Sequence, residues 1–119
     1  MTRRAVALVS DLLFASNIEA TLGRAGYDVV IVEDVDALAQ ALAAGDTQVV
    51  ILDLHAGAAA EEVVQRANGV PVLAFGRHTA APLLRSARAA GCAGVVARST
   101  FVEEMTDLVE RLASPSQTR

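Results

Sequence analysis

Residues 48–57 of this 119-residue chain read Gln-Val-Val-Ile-Leu-Asp-Leu-His-Ala-Gly, and no other stretch constrains the fold as much. Val49 to Leu52 are apolar without interruption and mostly β-branched. A short run without polar alternation fits a strand buried on both faces, as in the middle of a parallel sheet. The run ends in Asp53. A carboxylate placed where a central strand leaves the core lies at the carboxyl edge of the sheet, where open α/β folds bind ligands. An isolated ionised carboxylate is costly to bury, so Asp53 is expected near solvent with a cation or hydrogen-bond donors beside it. The plainer alternative is that Asp53 only caps the turn that follows.

Similar apolar runs recur along the chain, separated by helical patterns. Arg4 to Val9 reads as a first strand ending at Ser10-Asp11, and Leu12 to about Arg24 as a helix that Gly26 stops. Tyr27 to Val32 is a second strand. Asp34 suits the N-cap of a helix with Val35, Leu38 and Leu42 on one face, which ends at Gly45. After the strand Val49 to Asp53, a helix around Ala59 to Ala67 stops at Asn68-Gly69. Val70 to Phe75 is a fourth strand, with Pro71 tolerable only near its start. Ala80 to Ala90 is a fourth helix and Ala93 to Ala97 a fifth strand. Thr100 is expected to cap the last helix, with Glu103 completing a capping box and Met105, Leu108, Val109 and Leu112 forming its buried stripe. Five strands alternating with five helices predict right-handed crossovers and a parallel sheet covered on both faces, a three-layer α/β fold.

Composition sets the outer bounds. A chain of 119 residues at 53% hydrophobic supports one domain with one core. That domain is expected to span 1–119, with its core at about 4–113 and a polar tail at 114–119. No apolar run approaches the roughly 18 residues that a membrane span needs. Asp11 interrupts the first apolar segment and argues against a secretion signal, so a cytoplasmic location is expected. The single cysteine, Cys92, excludes an internal disulfide and fits a small core residue. All ten basic residues are arginine. Five of them (Arg66, Arg77, Arg85, Arg88 and Arg98) fall between Val63 and Val102, a segment without a single acid in a chain of net charge −4. Arg85 and Arg88 lie three apart on the fourth helix and share a face. That face is a candidate partner surface, or simply a solvated one.

In its order of motifs the chain resembles a response-regulator receiver domain from Arg4 to about Ala113. The resemblance implies a flavodoxin-like (βα)5 fold with strand order 2-1-3-4-5. It also implies transfer of a phosphoryl group from a histidine kinase or phosphotransfer protein to an aspartate at the end of strand three, here Asp53 in Val-Ile-Leu-Asp-Leu. Of the acidic pair that helps such domains hold Mg²⁺, Ser10-Asp11 keeps one member. Asp11, Asp53 and the backbone carbonyl of His55 are therefore the expected metal ligands, an oxygen set suited to a hard dication. The family's hydroxyl at the end of strand four falls at Gly76, its lysine at Arg98, its following proline at Ser99 and its aromatic switch residue at Val95. Arg98 keeps the charge in a planar fork and is expected beside Asp53, in contact with the phosphoryl group. Gly76 offers only backbone to an anion.

Two functions follow. One is a stand-alone receiver-like signalling protein of a phosphorelay, accepting phosphate on Asp53 with Mg²⁺ and acting on a downstream protein target. It is not an enzyme beyond that self-catalysed step. The alternative is a pseudo-receiver, a binding module independent of phosphorylation, suggested by Ser10, Gly76 and Val95. A homodimer is compatible with either. Low aromatic content and net negative charge argue against direct nucleic-acid binding. His55 and His78 both fall on the functional edge, where a loop histidine is ordinarily a surface residue. The pair Asp53-x-His55 lacks the glycine spacing of a cobalamin signature. Ser10, His55 and Asp53 have no nucleophile elbow, which argues against a hydrolase.

Overall fold

The computed structural model describes residues 3–113; the polar tail expected at 114–119 lies outside the described residues. In chain order the elements are β1 (Arg3–Leu8), α1 (Leu12–Arg24), β2 (Tyr27–Val32), α2 (Val35–Ala43), β3 (Thr47–Asp53), α3 (Ala60–Ala67), β4 (Val72–Gly76), α4 (Ala81–Ala89), β5 (Gly94–Ala97) and α5 (Arg98–Ala113). The sheet is parallel throughout, in the order β2-β1-β3-β4-β5. This is the flavodoxin-like arrangement, with β3 at its centre.

Strand alternation divides the interior into two cores. In β1 and β3, Ala5, Ala7, Val49 and Ile51 face one side, where Phe14 and Ile18 of α1 and Phe101, Met105 and Val109 of α5 cover them. Val6, Leu8, Val50 and Leu52 face the other, under Leu38 of α2, Val63 and Ala67 of α3 and Ala87 of α4. The run Val49–Leu52 is fully buried, as its lack of alternation predicts. All three phenylalanines of the chain meet in the first core. Phe75 stacks on Phe101 at 4.5 Å between centroids, and Phe14 meets Phe75 edge-on at 5.3 Å. Half-buried Cys92 packs against the second core, and burial pushes its thiol pKa up.

Turn chemistry matches the expected stops. Gly26 follows α1 at φ +95°, a conformation that L side chains rarely adopt, and Asn68 ends α3 at φ +50°. Two boundaries differ from expectation. Pro71 precedes β4 instead of starting it, so its missing N–H costs the ladder nothing, while its carbonyl still accepts from Val50 N. Thr100 does not cap the last helix: α5 begins at Arg98, directly after β5, and bends at Glu104, whose φ and ψ are −120° and 20°. The chain turns helical before Thr100 is reached, and the capping box does not form.

Candidate functional site

β1, β3, β4 and β5 all point their carboxyl ends to one edge, which gathers Asp11, Asp53, Gly76 and Arg98. Asp53 is the last residue of β3 and, among the described residues, the only buried charged one, with 7% of its surface exposed. Its Oδ1 accepts a hydrogen bond from the backbone N–H of His55 at 2.9 Å. Among the described residues no donor reaches Oδ2, so one oxygen is fixed and the other is open to a ligand. The strand-end geometry explains the fixing: β3 continues in step with β4 one residue further, where Leu54 N donates to Phe75 O, and the chain then turns back over the carboxylate.

Asp11 sits three residues beyond Leu8, the buried end of β1, and caps α1. Its Oδ1 accepts from Leu13 N at 3.0 Å and Phe14 N at 3.2 Å, satisfying two of the orphan N–H groups of the first turn. Its Oδ2 lies 3.8 Å from an Arg98 guanidinium nitrogen, with the Arg98 and Asp11 side chains 45% and 49% exposed. The Arg98 guanidinium also lies over the Phe14 ring, 4.1 Å from its centroid. The expected ion pair of Arg98 with Asp53 is therefore not the one that forms: the long side chain crosses Phe14 and reaches Asp11 instead. A pair so exposed and so long contributes little to stability, but it fixes where the positive charge rests.

Gly76 ends β4 and is buried. A β-carbon there would lie 3.3 Å from His55 Nε2 and 3.4 Å from the side chains of Leu54 and Leu84. The space a hydroxyl side chain would need is thus occupied by the His55 ring. That ring accepts a hydrogen bond from Arg77 N at Nε2, 3.0 Å away, which places its proton on Nδ1. No spacing or motif signals this contact, because it joins two loops through a glycine's missing side chain. His78 is exposed and lines a cleft of about 510 Å³ with Arg77, Thr79, Arg98, Ser99, Val102 and Glu103. Val95, at the family's aromatic position, is half-buried and packs against the second core.

Arg85 and Arg88 stand exposed on α4, while Ala87 between them is buried. Neither forms an ion pair among the described residues, so both charges are open to a partner. No group of three or more His, Cys, Asp or Glu side chains is placed to hold a metal among the described residues. The donors that the edge does offer are all oxygens: Oδ2 of Asp53, Oδ2 of Asp11 and the His55 carbonyl. They fit Mg²⁺, which binds through one or two carboxylates and keeps several waters, provided Arg98 yields its place on Asp11.

Comparison with solved structures agrees with the topology. A response regulator from Thermotoga maritima matches at a TM-score of 0.77 and 12% identity, over 96% of this chain and 99% of that one. The chemotaxis protein CheY4 of Vibrio cholerae matches at 0.79 and 17%, over 94% and 99%. The receiver domain of a Pseudomonas aeruginosa sensor histidine kinase, with a magnesium ion in its active-site cleft, matches at 0.76 and 16%, over 95% and 98%. No protein-family model matches the sequence, and no curated protein matches it at the sequence level. The chain has the fold of response-regulator receiver domains. No helix among the described residues is long and apolar enough to cross a membrane.

Proposed function

We propose that this chain is a receiver-like signalling domain that accepts a phosphoryl group on Asp53 and acts, in the cytoplasm, through protein contacts. The observation that carries the reading is the state of Asp53: a buried carboxylate at the exit of the central strand, with Oδ1 held by His55 N–H and Oδ2 without a donor among the described residues. In the transfer, a lone pair of Oδ2 forms the new O–P bond as the P–N bond of a phosphohistidine breaks. The electron pair of the broken bond leaves with the imidazole. Bound through Asp11, Asp53 and the His55 carbonyl, Mg²⁺ would neutralise charge on the phosphoryl oxygens. The cognate donor is a histidine kinase or phosphotransfer protein. Arg98 supplies a guanidinium that can swing from Asp11 to the phosphoryl group, a bidentate partner for it.

Intact-mass measurement after treatment with acetyl phosphate and Mg²⁺ tests this. Wild type should gain one phosphate, and Asp53→Asn should gain none. Equal labelling of the two, or none in either, defeats the reading.

A second reading, a binding module that works without phosphate, is favoured by the unpaired arginines of α4 and by Gly76 in place of a hydroxyl. Losing a hydrogen bond to a charged group removes about 1.5–3 kcal/mol, out of the roughly 5.5 kcal/mol needed to throw a two-state switch from 1:99 to 99:1. On that reading, an affinity-purified partner should release the Arg85→Glu/Arg88→Glu double variant and still bind Asp53→Asn. Retention of the double variant would remove α4 from the interface.

A further inference from the structure

The His55 imidazole is the one side chain at the site with two structural consequences and no assigned role. It fills the space above Gly76, and it occupies the backbone N–H of Arg77. That N–H is the first donor beyond β4, on the strand paired with β3 through Asp53 and Phe75. Backbone N–H groups at strand ends are natural anion donors, so an oxyanion built on Asp53 would find this one beside it. It is not free: an unprotonated ring nitrogen holds it at 3.0 Å.

Resting on the phosphoacceptor reading, we propose that the His55 imidazole is an internal competitor for the phosphoryl group, holding the Arg77 N–H until an oxyanion on Asp53 displaces it. The two halves of His55 then act in opposition. Its backbone N–H orients the Asp53 carboxylate, while its ring withholds the donor that would stabilise the phosphorylated product. Gly76 belongs to the same arrangement, because a side chain there would crowd Nε2 at 3.3 Å. His55 is thus a positioning residue acting through the Arg77 amide.

The test compares initial rates of labelling by acetyl phosphate and Mg²⁺ for wild type, His55→Ala and His55→Gln, in the full chain. In each, the Asp53 Oδ2–P bond forms as the acyl O–P bond breaks and acetate leaves with the electron pair. His55→Ala should label roughly five- to tenfold faster, the worth of one net hydrogen bond. His55→Gln, whose Oε1 can reach the position of Nε2, should label at close to the wild-type rate. Amide hydrogen exchange of Arg77 should be slow in wild type and the Gln variant and faster in the Ala variant, a signature that loop loosening elsewhere would not produce. An Ala variant as slow as labelled wild type, or a Gln variant as fast as Ala, overturns it and leaves the phosphoacceptor reading standing. If no variant takes phosphate, both fall together.

Discussion

The two halves of the strand-end site are built differently. On β1 and β3, Asp11 and Asp53 stand at the exits of strands whose residues Ala5 to Val9 and Val49 to Leu52 are fully buried, and each carboxylate is held by backbone N–H groups. The other half consists of Gly76 at the end of β4, Val95 on β5 and Arg98 at the start of α5. There β5 has only four residues, all half-buried. The half that carries Asp11 and Asp53 is an outgrowth of the core and inherits its rigidity. In the other half Gly76 ends the buried strand β4, whereas Val95 lies on β5 at the sheet edge, where truncation costs the fold less. The two carboxylates can therefore stay fixed while the residues around β5 change.

The sharpest way to break that comparison is to truncate one side chain in each half. Ile51→Ala removes a fully buried side chain from the central strand and should cost about 3–5 kcal/mol, since the packed neighbours on β1, β4 and α5 cannot fully collapse into the gap. Val95→Ala, on the half-buried edge strand, should cost about 1 kcal/mol. Urea unfolding of the two variants measures both numbers. If they came out equal, the edge would be as firmly built as the centre and the contrast would fail.

The same contrast explains what could be read from the sequence. Uninterrupted runs such as Val49–Leu52, and positive-φ residues such as Gly26 and Asn68, fix elements through local chemistry, and they placed every strand and helix to within a few residues. Asp53 at the end of β3 follows from its run alone. What escaped were contacts between elements. Arg98 marks a strand end, but nothing in its neighbours tells whether a guanidinium will reach Asp53 or cross Phe14 to Asp11. The Thr100–Glu103 spacing looks like a helix start, yet β5 runs straight into α5 and the bend falls at Glu104. The His55–Arg77 bond spans 22 residues and exists because Gly76 leaves room, a three-body fact that pairwise spacing does not encode.

A smaller effect sharpens the comparison, because Asp11 has two duties that different substitutions separate. As an N-cap it accepts from Leu13 N and Phe14 N, so Asp11→Ala should cost about 1 kcal/mol by leaving both donors without a side-chain acceptor. Asn caps about as well as Asp, so Asp11→Asn should unfold within about 0.5 kcal/mol of wild type in urea. Losing the exposed, 3.8 Å partner of Arg98 adds little to that. The same variant deletes one of the two carboxylates offered to a dication, and calorimetric titration should find Mg²⁺ bound at least tenfold more weakly, as removing one charge from an oxygen site demands. Wild-type Mg²⁺ affinity in Asp11→Asn would reduce Asp11 to a helix cap and leave Asp53 as the sole anionic anchor. Weakened Mg²⁺ binding at unchanged stability would show that one side chain joins the first helix to the chemistry of the central strand.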